Sequence, residues 1–335
     1  MLYGLLRKFL FRYEPEQAHD YTLRALRWAK KTGLSKLLFS IPDCPVEVMG
    51  LKFKNPVGLA AGFDKNGDVI AELATLGFGF IEVGTVTRIA QVGHLPPRVF
   101  RIPEQQALIN RLGFNNKGCD YLVSKLKKIQ YAGILGVNIG KNYDTPLEHA
   151  VEDYLYCYRR VAPYASYVTL NISSPNTKAL RDLQQQDMLQ KLLRTLKEEQ
   201  AIIFEFQKKY VPLVVKLAPD LTTAELQNIA KILLAEKADG VIATNTTVSR
   251  EGVNSKEEGG LSGKPLGARS TAVIKQLHVL LNNKIPIIGC GGILNEKDAL
   301  DKFQAGATLV QLYTGLVYQG PVLIHDIVRT LVTKH

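Results

Sequence analysis

The feature that most constrains this chain is a set of eight short apolar runs, each followed by a stretch of helical periodicity. The runs are centred near residues 59, 82, 136, 169, 214, 242, 288 and 310. The helical stretches fall at about 67–76, 117–130, 146–161, 187–209, 222–236, 268–281, 295–304 and 320–333. Short, β-branched, continuously apolar runs are what strands buried on both faces look like, and regular strand–helix alternation is the signature of parallel sheet. Eight such units in about 280 residues match the count and size of a closed (β/α)8 barrel. An open doubly wound sheet is the alternative. Its first strand is normally followed by a G-x-G-x-x-G loop, and Gly58–Gly67 (GLAAGFDKNG) does not have that spacing. The expected fold is therefore α/β: a (β/α)8 TIM barrel over residues 41–335 with a small N-terminal helical extension over residues 1–40.

Within the extension, Leu2, Leu5, Leu6, Phe9 and Leu10 recur at spacings of three and four beside Arg7 and Lys8. After Glu14-Pro15-Glu16 a second pattern runs through Tyr21, Leu23, Leu26 and Trp28 to Gly33, with Pro15 suited to an early helical position. Residues 1–40 carry eight Lys/Arg against three Asp/Glu. Two readings stand: a helical cap packed on the barrel, or a basic amphipathic pair lying on a membrane. No apolar stretch approaches the length of a bilayer-spanning helix. Arg7, Lys8 and Arg12 interrupt the apolar start and no small-residue cleavage site follows, so a cleaved signal is not expected. Residues 41–56 read as a hairpin turning at Gly50. The connection 86–116 reads as holding a small hairpin over the barrel mouth, and the polar connections 172–186 and 245–267 read as lids.

Net charge is +11, from 42 Lys+Arg against 31 Asp+Glu, which fits anionic ligands, an acidic membrane surface or nucleic acid. No arginine-rich stripe or aromatic platform outside the extension supports nucleic acid. The four cysteines are scattered and never form C-x-x-C, so a metal site, an iron–sulfur cluster or a disulfide framework is not expected, and a reducing, cytoplasm-facing location is the plain reading. None of the six histidines falls at a strand end and no HExxH occurs, which leaves no place for a Ser–His–Asp arrangement or metal-assisted hydrolysis.

What the runs end in points to chemistry. Lys65, Thr85, Asn138, Asn171, Lys216, Thr244 and the Gly291-Gly292 pair come where the strands stop, the face on which parallel barrels place their sites. GCGG at 289–292 and YTG at 313–315 follow the seventh and eighth strands, with Gly263 as a third backbone contributor. They read either as a phosphate site made of backbone N–H groups or as two tight turns. Asn110, Asn115, Asn138, Asn171, Asn176 and Asn245 surround one rim, and that many amides suit a flat ligand needing both donors and acceptors. Lys216 is a charge inside an apolar strand and calls for an anion or an electron-rich ring; Lys65 invites the same reading. Ser174, before Pro175, is by local sequence an ordinary turn residue.

The ordered motifs AGFDKNG, EVGTVT, INRLGFNN, VNIGKN, NISSPNT, VKLAPD, ATNTT, GLSGKPL, GCGGI and QLYTG resemble those of the dihydroorotate dehydrogenases, specifically the membrane-associated, quinone-dependent class 2. The resemblance implies a barrel that holds FMN and oxidises (S)-dihydroorotate to orotate in de novo pyrimidine (UMP) synthesis. Carried over residue by residue, it implies FMN contacts from Ala61, Gly62, Thr85, Asn138, Asn171, Lys216, Thr244, Gly263, Gly292, Tyr313 and Thr314. It implies substrate contacts from Lys65, from Asn110, Arg111, Leu112, Gly113 and Phe114, and from Asn171, Asn176, Asn245 and Thr246. Ser174 becomes the catalytic base, where the soluble class 1 members carry cysteine. Ubiquinone or menaquinone would enter between the N-terminal helices, on the cytoplasmic face of the cell membrane, with no metal and no iron–sulfur partner subunit. Among other FMN barrels, a dihydropyrimidine reductase is expected to carry cysteine at the base position and a dihydrouridine reductase to engage tRNA. A non-catalytic membrane protein would have little reason to keep lysines and asparagines at so many strand ends.

Overall fold

The structure is a computed structural model that describes residues 2–33 and 41–334. Eight parallel strands close into a barrel: β3 (Val57–Leu59), β4 (Phe80–Val86), β7 (Ile134–Ile139), β8 (Tyr167–Asn171), β9 (Leu213–Leu217), β10 (Gly240–Ala243), β12 (Ile287–Cys290) and β13 (Leu309–Leu312), with β13 pairing back onto β3. Each of the eight expected strands is present, and helices follow them on the outside. The sheet needs no edge because it closes on itself.

Two apolar layers hold it. Between strands and outer helices lies one continuous core that includes Leu73, Leu122, Tyr154, Leu192, Leu233, Ile274 and Ile324. Inside the barrel a second cluster joins Phe53, Phe80, Tyr167, Val214, Ile242, Ile288 and Leu309. Its aromatic rings fit because the adjacent strands carry glycine opposite them. A Cβ on Gly58 would collide with the Phe80 ring, and one on Gly136 with the Tyr167 ring. The closed end is plugged by the expected hairpin, β1 (Val46–Val48) paired antiparallel with β2 (Leu51–Phe53), which delivers Val48 and Phe53 to the interior.

At the open end stands the expected mouth hairpin, β5 (Val99–Ile102) with β6 (Ala107–Asn110). A third strand, β11 (Gly260–Gly263), joins β6 antiparallel, so the two long connections form one small sheet rather than two independent lids. Against this end packs the extension, α1 (Leu2–Leu10) and α2 (Pro15–Lys31), with Pro15 in the first turn of α2. Tyr3 donates its hydroxyl to Val317 O at 2.8 Å, Arg7 to Tyr318 O at 2.5 Å, and Arg101 of β5 donates to Tyr13 O at 2.8 Å. Arg98 Nε meets both carboxylate oxygens of Glu16 at 3.1 Å. Residues 34–40, expected to belong to the extension, lie outside the described residues. Among the described residues no helix is long and apolar enough to cross a membrane.

Candidate active site

The C-terminal ends of the strands, the small sheet and the loop 172–176 enclose a cleft with about 1100 Å³ of empty space, its solvent-open mouth included. Lining it are Lys65, Asn110, Leu112, Gly113, Phe114, Asn171, Ser174, Asn176, Asn245 and Thr246. Ala61, Gly62, Thr85, Lys216, Thr244, Gly263, Gly292, Tyr313 and Thr314 line it as well. Residues scattered over some 250 positions of sequence therefore meet at one place, as the barrel topology requires.

Two expected residues lie elsewhere. Arg111 turns away from the cleft: its guanidinium pairs with Glu257 at 2.6 Å and stacks on Phe100, 4.4 Å from the ring centroid. Asn138 sits one layer beneath the floor, fully buried, accepting from Thr85 Oγ1 at 2.6 Å and donating to Glu82 at 2.8 Å. Its neighbours Val137 and Ile139 pack in the outer core, so Asn138 faces the barrel interior, where Thr85 and Glu82 take up its hydrogen bonds. Asn115 also stays off the cleft wall, with a buried Oδ1 that lacks a partner.

Beneath the floor lies a network that the sequence reading did not single out. Glu82, fully buried on β4, accepts from Asn138, from Tyr167 at 2.9 Å, from Thr169 at 3.1 Å and from Gln311 at 2.7 Å. Four donors are what an isolated buried carboxylate needs to be tolerated. The signal was available, since Glu82 is a charge within an apolar run just as Lys216 is. Above it, Asn171 donates to Thr85 at 2.9 Å and accepts from Asn245 at 3.1 Å, which also donates to Ser173 at 3.0 Å. The amides are thus locked in rotamer by one another before any ligand arrives.

Some polar atoms in the cleft are left for a ligand. Gln311 Oε1 is buried without a partner. Lys216 is 5% exposed on the wall. An unpaired acceptor and a buried ammonium on one cleft fit a flat heterocycle that offers both a donor and an electron-rich edge. At the glycine-rich rim, Gly263, Gly291 and Gly292 all have positive φ. A Cβ on Gly292 would collide with the backbone of Gly267, and one on Gly263 with that of Gln106. The rim is therefore glycine backbone without side chains, the kind of surface from which N–H groups can reach an anion such as a phosphate.

Lys65 donates to Gly62 O at 3.2 Å, and burial pushes its ammonium down to about 8, with Glu16 of α2 opposing and Arg98 adding to the shift. Ser174 is 6% exposed, and its Oγ accepts from the Asn176 N–H at 3.3 Å. Asn176 in turn donates to Asn110 Oδ1 at 3.2 Å, and its carbonyl meets His94 Nε2 at 2.9 Å, so the loop carrying Ser174 is tied to the small sheet.

The dihydroorotate dehydrogenase family model matches residues 44–334. A dihydroorotate dehydrogenase (quinone) from Methylobacillus flagellatus is 54% identical, with 99% of this chain and all of that protein covered. One from Cellvibrio japonicus is 52% identical, with 100% and 99% covered. Among solved structures, DHODH from Eimeria tenella in complex with ferulenol superposes with a TM-score of 0.88 at 38% identity, covering 96% of this chain and 91% of that one.

Proposed function

Because this chain belongs to the quinone-dependent class of the dihydroorotate dehydrogenase family, we propose that its cleft holds FMN along the glycine-rich rim and dihydroorotate along the amide-rich rim. The activity is oxidation of (S)-dihydroorotate to orotate, a step of de novo pyrimidine synthesis. The observation that carries this reading is a single cleft lined both by Ser174, Lys65 and the asparagines and by the glycines Gly263, Gly291 and Gly292.

The chemistry that FMN supplies when bound is acceptance of the hydride from C6 of the substrate and delivery of both electrons to a quinone. Everything else falls to the protein. Ser174 takes the C5 proton at Oγ while its own hydroxyl proton passes to a relay water, so the residue ends neutral. The Asn176 N–H that points at Oγ favours the negative character that oxygen acquires as its proton departs. Lys65 and Asn110, Asn176 and Asn245 would hold the substrate carboxylate and ring carbonyls and so present C5 to Ser174. Lys216 and Gln311 would hold the flavin ring, Lys216 favouring negative charge on it. Gly263, Gly292, Tyr313 and Thr314 would take the phosphate. Arg111 and Asn138 act through others, Arg111 by fastening the small sheet to Glu257 and Asn138 by fixing Thr85.

The extension forms the quinone route and lies on the cytoplasmic face of the cell membrane. Leu5, Leu6, Phe9 and Trp28 are exposed beside Arg7, Lys8, Arg12, Arg24 and Arg27, the composition of an interfacial helix pair on anionic lipid. Ubiquinone and menaquinone both fit this reading.

The test is anaerobic mixing of the detergent-purified protein with dihydroorotate while the 450 nm flavin band is followed, then addition of quinone or NAD. Bleaching by dihydroorotate with recovery by quinone alone is expected. Recovery by NAD, or no bleaching at all, would overturn the assignment.

A further inference from the structure

Lys302 is a buried cation that none of these roles uses. It lies on the helix Glu296–Gln304, 1% exposed, and its Nζ donates to Gly267 O at 2.8 Å and to Thr271 Oγ1 at 2.7 Å. Its partners are a carbonyl and a hydroxyl rather than a carboxylate. A buried ammonium with no carboxylate in contact is costly to keep unless something else answers it.

Where those partners lie shows what that could be. Gly267 opens the fifteen-residue helix Gly267–Leu281, and Thr271 stands one turn further along it. The glycine turn after β12 rests directly on the first turn of that helix, since a Cβ on Gly292 would overlap Gly267. Ser270 of the same turn donates to Cys290 O at 2.7 Å, and the Lys302 stem passes beneath Gly289, its Cβ 3.3 Å from where a side chain there would begin. The ammonium is thus one layer behind the rim formed by Gly263, Gly292, Tyr313 and Thr314, on the same side as a helix N-terminus whose dipole favours an anion.

We propose that Lys302 is a positioning residue that supplies the counter-charge for the cofactor phosphate, bracing the first turn of helix Gly267–Leu281 against the glycine rim and setting the preference for FMN over unphosphorylated riboflavin. This rests on the reading that the glycine-rich rim takes the FMN phosphate. A consequence follows for pH. Burial pushes the Lys302 ammonium down to about 8, opposed by Cys290 of β12 and by Asp298 and Asp301 on its own helix. What faces it from helix Gly267–Leu281 is the Thr271 hydroxyl and the Gly267 carbonyl. A phosphate monoester, with its second pKa near ~6, is already a dianion above neutrality. Bound beside Lys302, it raises the pKa of the ammonium. The contribution of Lys302 is then full below the unliganded value of about 8 and fades as pH rises through it.

The test strips flavin from the full-length protein and titrates it with FMN and with riboflavin, reading the quenching of flavin fluorescence. In the wild-type protein the FMN-to-riboflavin affinity ratio should shrink as pH rises through the value for Lys302. In Lys302→Met the ratio should fall by roughly tenfold, the ordinary scale of coupling between two groups. Riboflavin affinity should stay unchanged, the pH dependence should vanish, and Lys302→Arg should restore part of both. Equal weakening of both flavins in Lys302→Met would make the residue a brace alone and overturn the proposal. So would an unchanged ratio, or a wild-type ratio flat across the pH range if the variant does not fold. Binding of neither flavin by the wild-type protein would bring down the cofactor reading itself, a separable result.

Discussion

The barrel and the helical extension are held in place by opposite means. Every residue of β4, β8, β9, β10, β12 and β13 is buried, and the apolar layers inside and outside the strands are continuous. In α1 and α2 the one buried residue among those described is Ala18, while Leu5 and Trp28 are more than 60% exposed. A few directed contacts dock the extension: Tyr3 and Arg7 on backbone carbonyls of the helix Thr314–Gln319, Arg101 on Tyr13, and the Arg98–Glu16 pair. The barrel is therefore the site's rigid frame. The extension is an attachment that leaves apolar side chains exposed among cations, a composition that suits lipid.

The largest expected effect tests the frame. Ser174→Ala should slow bleaching of the flavin by dihydroorotate in stopped flow by about 10²–10⁴-fold, the usual contribution of a positioned base. Reoxidation of chemically reduced flavin by quinone should be unchanged, because the substitution touches neither the extension nor the cofactor rim. A near-normal bleaching rate would take the proton from Ser174 and reassign it.

Removing residues 1–40 should do the reverse. Flavin content and bleaching by dihydroorotate should persist, while turnover with a membrane-dissolved quinone should fall by about 10²-fold, the scale of effective concentration lost when one reactant is no longer held at the other's surface. The readout is the ratio of quinone-dependent turnover to stopped-flow bleaching. Loss of flavin from the truncated protein would show that the extension is a structural cap and erase the contrast.

How far the sequence disclosed these two regions differs for physical reasons. The strands were readable because parallel strands buried on both faces become unbroken apolar runs, and the closing hairpin because Gly50 marks its turn. The third strand of the mouth sheet was not. Gly260–Gly263 reads GLSG, with no alternation, and its partner β6 lies about 150 residues earlier, so only the tertiary fold creates it. In the site, Lys216 stood out as a charge in an apolar run, whereas Glu82 went unremarked although the same reasoning applies to it. Arg111 came in through the resemblance, whereas Asn138 was singled out from its place near a strand end as well. Whether a side chain faces the cleft or its supporting layer depends on strand pleat and on partners such as Glu257, which a motif does not record.

The smallest effect lies at the seam, where the contrast is sharpest to test. Lys65 belongs to the barrel, but Glu16 and Asp20 on α2, Asp64 beside it, Arg98 from the mouth sheet and the neighbouring His19 all surround it. Burial pushes Lys65 down to about 8, and the leading influence opposing that is Glu16. An anionic substrate raises the Lys65 pKa on binding, so its affinity is full below about pH 8 and is lost as pH climbs through that value. Glu16→Gln removes the opposing charge, lowers the free-state pKa of Lys65 and moves that loss to lower pH. Near pH 8 the KM for dihydroorotate should rise by at most about fivefold, because Glu16 is partly solvated and such pairs contribute little. The rise should disappear near pH 6, where Lys65 is charged in both proteins. Profiles of KM against pH that coincide would mean that α2 lends the barrel nothing but quinone. A displaced profile would mean that the attachment also tunes the charge that receives the substrate.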